Sequence, residues 1–319
     1  MSCAAAMLVA MLLDAAIGWP AWLFERIGHP VTWIGKLILA LDRRLNREAF
    51  PPVKRRALGV VTSLLVIAIA ALVAGAVVAA APSGWMGVLF VGIAAWPLIA
   101  VRSMREHVEA VAQPLETGQL AEARRAVSMI VGRDPSSLDD GGIARAAIES
   151  LAENTSDGVV APIFWGVVLG LPGIAVYKAI NTLDSMIGHR TPRHERFGWA
   201  AARIDDAANL IPARLTAVLF ALVSGRPAFA LRCARADAKK HRSPNAGWPE
   251  AAMAGALDIR LSGPRSYNGK PSAEPWINEG GREPRGVDIR PALEVYRRAM
   301  LALAALLVVL VVWGAYRTG

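Results

Sequence analysis

The sequence predicts an all-α, multi-pass integral membrane helical protein, with a cytoplasmic helical insertion and broken or re-entrant helices around a polar site. Three observations predict it. The 319 residues are 54% hydrophobic, with a mean hydropathy of +0.38, above the roughly 45–50% apolar content of soluble domains. The excess is gathered in long uncharged runs, and Ala57 to Ala81, with 25 residues, is long enough to cross a bilayer as one helix. Dense polar clusters stand directly beside such runs, where a charge needs a partner, a metal or water. The net charge of +9 then reads as basic cytoplasmic loops, which makes nucleic acid a poor first guess. Cys3 and Cys233 lie far apart in no metal or redox spacing, so no disulfide framework, zinc site or iron–sulfur cluster is expected.

Five segments follow in order. Residues 1–101 hold the N-terminal membrane helices. The first 18 residues are apolar but lack a basic leader and carry Asp14, which favours an uncleaved helix over a signal peptide. Trp19 to Arg56 contains GHPVTWIGK and sets eight Lys/Arg against three acids, marking a cytoplasmic loop. Ala57–Ala81, the turn Pro82-Ser83-Gly84 and Trp85–Val101 read as a helical hairpin. Residues 102–157 have soluble-helix composition, broken by Gly118 and ended by Asp134-Pro135, and predict two or three amphipathic cytoplasmic helices. A helix starting near Gly142 sets Glu149 and Glu153 on one face, with Asn154 and Asp157 at its end.

Residues 158–223 carry the motifs on broken membrane or interfacial helices. Gly158–Val176 is 19 residues long but holds Pro162, Gly166, Gly170, Pro172 and Gly173, which predicts two breaks and a re-entrant segment over a plain span. Leu210–Val223, with 14 residues, is short for a span. Residues 224–298 are polar, with fourteen Lys/Arg and eight acids, as suits the cytoplasm, and Pro264 to Pro291 reads as a long loop, ordered or mobile. Residues 299–319 form a last membrane helix.

Two polar clusters flank the 158–176 run. Glu149, Glu153, Asn154 and Asp157 form the first. Lys178, Asn181, Asp184, Arg203, Asp205, Asp206, Asn209 and Arg214 form the second. Lys178, Asn181 and Asp184 share a helix face, and Asp205, Asp206 and Asn209 share another. Carboxylate and amide oxygens on two helices suit magnesium, which takes oxygen ligands and keeps several waters. Asp184, Asp205 and Asp206 are the candidate metal ligands. Lys178, Arg203 and Arg214 suit phosphate, with Asn154, Asn181 and Asn209 as neutral substrate contacts. Glu153 and Asp157 are the candidate catalytic carboxylates. The competing structural account is helix caps and interhelical ion pairs. His29-Pro30 and Asp14 read as features of the first helix and its turn, and His189, His194 and Glu195 as members of a solvated loop. No phosphate-binding GxxxxGK[ST], dinucleotide GxGxxG or nucleophile-elbow GxSxG motif occurs; Gly263–Lys270 (GPRSYNGK) has the wrong spacing.

The strings GHPVTWIGKLI, AENTSDGVVAP, YKAINTLDSMIGH, FGWAAARIDDAANLIPARLTA, SPNAGWPEAAMAGAL and SYNGKP resemble those of the CobD/CbiB family, the adenosylcobinamide-phosphate synthases of cobalamin biosynthesis, along nearly the whole chain. The resemblance implies a multi-pass enzyme of the bacterial inner membrane, its site on the cytoplasmic side. It implies an ATP-dependent acid–amine ligase joining a propionate carboxylate of the corrinoid adenosylcobyric acid to aminopropanol or its O-phosphate, with magnesium, through an acyl phosphate. Other corrin-pathway enzymes at the membrane would be its partners, and nucleic acid would not. One departure is Gly18-Trp19-Pro20, where the family pattern has an acidic residue between glycine and proline. Two rival readings stand beside it. A magnesium-dependent membrane prenyltransferase also sets Asn and Asp on two helices, and a membrane sensor of related fold would need no complete carboxylate set.

Overall fold

The computed structural model describes residues 2–132, 134–267 and 270–318. The chain is helical nearly throughout. Helix α1 (Cys3–Ile17) is capped by Ser2, whose hydroxyl accepts the Ala5 N–H, and Gly18 ends it at φ 64°. Next come α2 (Ala21–Ile27) and α3 (Pro30–Leu45). His29 caps α3, with its ring accepting from the Val31 N–H, so the histidine is a helix cap, as the GHP turn suggests. Then α4 (Pro52–Ala79) and α5 (Gly84–Ala95) are joined by the expected tight turn at Gly84 (φ 68°).

Helices α6 (Val101–Glu116), α7 (Leu120–Ser128) and α8 (Asp140–Thr155) supply the amphipathic set, broken as expected at Gly118, where φ is 72°. The second break comes earlier than Asp134-Pro135, because α7 ends at Ser128. The chain continues through α9 (Ala161–Ile187), α10 (Trp199–Ala208), α11 (Leu210–Val223), α12 (Pro227–Asp237) and α13 (Gly247–Leu257). The 264–291 loop, expected as either ordered or mobile, holds ordered elements among its described residues. Strand β1 (Leu261–Ser262) pairs antiparallel with β4 (Trp276–Ile277), and β2 (Arg265–Tyr267) with β3 (Lys270–Ser272). Asn268 and Gly269 of SYNGKP, and of GPRSYNGK, lie outside the described residues. The last helix, α14 (Ile289–Thr318), begins ten residues before the apolar run expected from Ala299.

Four helical stretches are long and apolar enough to cross a membrane, and two bent pairs, Cys3–Ile17 with Ala21–Leu45 and Trp199–Ala208 with Leu210–Val223, raise this to as many as six. Leucine, valine and tryptophan on α4, α5 and α14 stand outward, Leu72, Trp85 and Val309 among them, the faces a lipid solvent requires.

Two corrections concern the motif-bearing region. First, α8 does not end at Asn154 and Asp157. Residues Ser156–Val160 form a π turn that carries the helix into α9. One extra residue per turn is taken up there without breaking the backbone ladder. Second, the 158–176 run breaks once. Only Gly170 leaves helical geometry, at φ 67° and ψ −154°, a region open to glycine. Pro162 follows the π turn by two residues, so its missing N–H falls where the backbone bonding already shifts, and Gly166 and Gly173 serve close packing.

The chain forms two compact units. Unit 1 comprises Met1–Ala100, Ala161–Asn209 and Leu307–Gly319. Its helices approach through small residues, the device of membrane interfaces where burial of apolar surface drives little. A Cβ at Gly166 would lie 2.1 Å from Met7 Sδ, one at Gly92 2.6 Å from Val9, and one at Gly59 1.8 Å from the Phe197 carbonyl. Ile38, Val66, Ala179, Leu183, Ile187, Phe197 and Ala201 form one core, drawn from α3, α4, α9, α10 and the segment that leads into α10. Although a turn joins α4 to α5, the main neighbour of α5 is α1, so the expected hairpin is not a mutually packed pair.

Unit 2 comprises Val101–Val160 and Leu210–Leu306. Its centre is α8, with Ile143, Ala147, Ile148 and Leu151 fully buried. Asp139 caps α8 through the Gly142 N–H at 2.8 Å, and α6, α7 and α13 pack around it. Tyr296 of α14 donates to the Val101 carbonyl at 2.7 Å.

Candidate functional site

In unit 1 the two motif helices meet through a buried amide. Asn209, at the turn that ends α10, is 1% exposed. Its Oδ1 accepts the Tyr177 hydroxyl at 2.9 Å and its Nδ2 donates to Asp205 Oδ2 at 3.0 Å. Tyr177 belongs to α9, one residue before Lys178, so a single side chain locks α9 to α10 and orients Asp205. Trp165 reinforces the junction by donating to the Ala208 carbonyl at 3.1 Å. Ala161, Tyr177, Ile180 and Ala208 close an apolar floor beneath it.

Asp206 pairs with Arg203 at 2.6 Å one turn away, so for these two the ion-pair account is realised within α10. Asp184 lies within electrostatic reach of Asp206, Arg203 and His189. The chain leaves α9 beside this carboxylate through Gly188. A Cβ there would fall 1.9 Å from Asp184 Oδ1, so only glycine fits. Lys178 and Asn181 are half-buried on the same helix, and Lys178 is within electrostatic reach of His29.

The loop between α9 and α10 is not simply solvated. Asp42 of α3 receives Arg193 at 2.7 Å and His194 at 3.4 Å, while Asn46 and Arg55 hold the Arg193 carbonyl. Burial, opposed by the Asp42 charge, keeps the His194 imidazole below its usual value. Exposed His189 and Glu195 match the expectation. Trp19, at the family's acidic position, is a packing residue. Its ring stands edge-on to His29 at 5.1 Å and 5.5 Å from Trp96, and its Nε1 donates to the Gly28 carbonyl. Asp14 is 4% exposed in α1.

In unit 2 the first cluster divides. Glu149 and Glu153 share a helix face by spacing, yet Glu149 is 7% exposed and Glu153 stands open. Glu149 Oε1 accepts the Ser262 N–H at 2.6 Å, holding a residue with φ 61°. Asn154 Nδ2 donates back to the Ser150 carbonyl at 2.9 Å, and Asp157 is half-buried in the π turn. Arg214 of α11 donates to Asn245 Oδ1 at 3.0 Å, with its guanidinium 4.7 Å from the Trp248 ring centre.

Sequence reasoning missed Tyr177, His241, Asn245, Trp248 and Glu250. Glu250 is 3% exposed, with His241 Nε2 3.6 Å from its Oε1. The available signal was position. Tyr177 opens YKAINTLDSMIGH, and Asn245, Trp248 and Glu250 lie within SPNAGWPEAAMAGAL. Among the described residues no three His, Cys, Asp or Glu side chains gather as a metal-holding group.

The fold and this arrangement define a class, an all-helical multi-pass membrane protein with carboxylates, amides and guanidinium groups set beside apolar helices. Within that class, the family described as CobD/Cbib protein matches residues 7–296. The chain is 59% identical over 314 residues to the cobalamin biosynthesis protein CobD of Rhodobacter capsulatus, covering 98% of this chain and 99% of that one. It is 48% identical to the protein of that name from Sinorhizobium fredii, with 96% of each covered, and 46% identical to that of Brucella suis, with 94% of each covered. No solved structure matches it. The chain belongs to the CobD/CbiB family.

Proposed function

We propose that the chain is a cobalamin-biosynthesis enzyme of the bacterial inner membrane. It joins a propionate carboxylate of adenosylcobyric acid to aminopropanol or its O-phosphate, consuming ATP, with its chemistry on the cytoplasmic side. The observation that carries the reading is the family match over residues 7–296, which contains every candidate residue. The names of the relatives from Rhodobacter, Sinorhizobium and Brucella support the pathway.

The chemistry sets the demands. A carboxylate is a poor electrophile, so it is first phosphorylated to an acyl phosphate. The ammonium of the second substrate loses one proton, its nitrogen attacks the acyl carbon, the C–O bond to phosphate breaks, and the departing phosphate takes the second proton. In unit 1, Lys178 and Arg203 offset phosphate charge, and Asn181 and Asn209 contact substrate. Magnesium takes one or two carboxylates and keeps its waters and phosphate ligands. Asp205, held by Asn209, and Asp206, within reach of Asp184, suit that need without a preformed cage. One or two of these three carboxylates would hold the ion, with waters and phosphate oxygens as its other ligands, and the bound ion would offset phosphate charge. In unit 2, Arg214 meets phosphate, Asn154 contacts substrate, and Glu153 or Asp157 takes the ammonium proton.

The test is direct. Purified protein in detergent receives adenosylcobyric acid, aminopropanol O-phosphate or aminopropanol, ATP and magnesium, and mass spectrometry looks for the amide. Product is expected to depend on ATP and to vanish in the Asp205→Asn, Asp206→Asn double variant while the protein stays in the membrane. Activity retained by that variant rejects the metal assignment, and no product with either amine rejects the reaction.

A further inference from the structure

The observation lies in unit 2, behind Arg214, and the inference rests on the reading of Arg214 as a phosphate-meeting group. Arg214 Nη1 donates to the Leu210 carbonyl at 2.7 Å and to Asn245 Oδ1 at 3.0 Å, and Trp248 lies against the guanidinium. Two residues of one short segment therefore aim it. The shape of that segment comes from His241. Its Nδ1 accepts the Ser243 N–H at 3.0 Å, and Ser243 Oγ then accepts the N–H groups of Asn245 and Ala246, each at 3.2 Å. There is no slack. A Cβ at Gly247 would lie 2.7 Å from His241 Cβ and 2.2 Å from the Ala238 carbonyl. With Nδ1 occupied by an accepted N–H, the neutral ring carries its proton on Nε2, the atom 3.6 Å from Glu250.

We infer that His241 is a positioning residue for Arg214, whose neutral ring holds the 241–247 turn that aims the guanidinium, and that protonation of the ring releases the turn. An imidazolium donates from both nitrogens, so it has nothing left to accept the Ser243 N–H. The charged groups facing the ring are Glu250 on α13, Glu149 on α8, Glu274 ahead of β4, and Arg242 beside it. Lys240 is engaged elsewhere, 2.9 Å from Asp237 and 3.1 Å from the Trp276 carbonyl. Burial, aided by Arg242, outweighs the carboxylates and keeps the imidazole below its usual value, so the turn is held at neutral pH.

The experiment measures the KM for ATP in amide synthesis from pH 8 to pH 5.5. His241→Leu removes the acceptor and is expected to raise that KM about five-fold at pH 8, the factor of ~1 kcal/mol for one hydrogen bond, with kcat little changed. His241→Asn keeps an acceptor near Nδ1 and cannot titrate. Its KM should match wild type at pH 8 and stay flat where the wild-type value climbs. A second readout needs no activity: phenylglyoxal modification of Arg214, followed by peptide mass spectrometry. Arg214 should react faster in His241→Leu at pH 8, and faster in wild type than in His241→Asn at pH 5.5. Equal rates in all three, or a His241→Asn profile that keeps the wild-type acid rise, overturn the inference. If His241→Leu fails to fold, His241→Asn decides alone. A wild-type protein that makes no amide strikes the reaction, and phenylglyoxal still decides the role of His241.

Discussion

One buried amide does more to join the motif helices than any of the charges around it. Asn209 both accepts from Tyr177 and donates to Asp205, so its loss removes two hydrogen bonds, one of them to the buried Tyr177 hydroxyl. Asn209→Ala should lower stability by about 1–3 kcal/mol, the worth of two hydrogen bonds, measured as a drop in detergent melting temperature. Tyr177→Phe removes one bond only and should cost less. Gly188→Ala pushes a methyl into the Asp184 carboxylate. It should reduce amide synthesis at least ten-fold, with a smaller effect on melting. The histidines give a pH prediction. His194 and His241 are both held below the reference value of 6.5, chiefly by burial. The unfolded chain therefore binds protons that the folded chain refuses, and stability present above pH 6.5 is lost as pH falls below it. Melting temperature should fall between pH 7 and pH 5, and the fall should shrink in the double variant His194→Asn, His241→Asn.

At the scale of elements, the break in α9 is a single glycine. Gly170→Ala forces a side chain into a conformation open to glycine alone, at roughly 1–3 kcal/mol, although the space beside Cys3 Sγ (3.4 Å) admits a methyl. Circular dichroism melts should show lower stability with unchanged helix content. Long uncharged runs were legible. The sequence placed a span at 57–81, and α4 occupies Pro52–Ala79; it marked Leu210–Val223, and α11 has those bounds. The number of breaks in 158–176 was not legible. Composition shows six glycines and prolines, and only backbone torsion reveals which one bends the helix. The π turn at Ser156–Val160 was hidden for a related reason, since a one-residue slip in hydrogen bonding leaves no side-chain period behind. The acidic and amide residues of the candidate site stood out by their cost beside apolar sequence. Tyr177 and His241 did not, because an aromatic or a histidine near a helix is ordinary until a partner is seen.

At the scale of the molecule, outward-facing apolar helices demand lipid. The protein should stay in the membrane pellet after an alkaline carbonate wash and appear in solution only with detergent; release by carbonate alone would contradict the multi-pass assignment. The class and the family were both readable from the chain. Its division into two units was not, because the boundaries at 100, 160 and 209 fall within or beside continuous helical sequence and carry no linker composition. That interleaving bears on how the protein is made. The ribosome emits residues 1–100 of one unit, then 101–160 of the other, returns to the former at 161–209, completes the latter at 210–306, and comes back to the former at 307–319. Neither unit is whole until the last helix emerges, so each early segment waits with its packing faces unmatched. Synthesis speed and the insertion machinery thus share in the fate of this chain, and a stop codon anywhere between residues 210 and 306 would leave two unfinished units in place of one good and one bad.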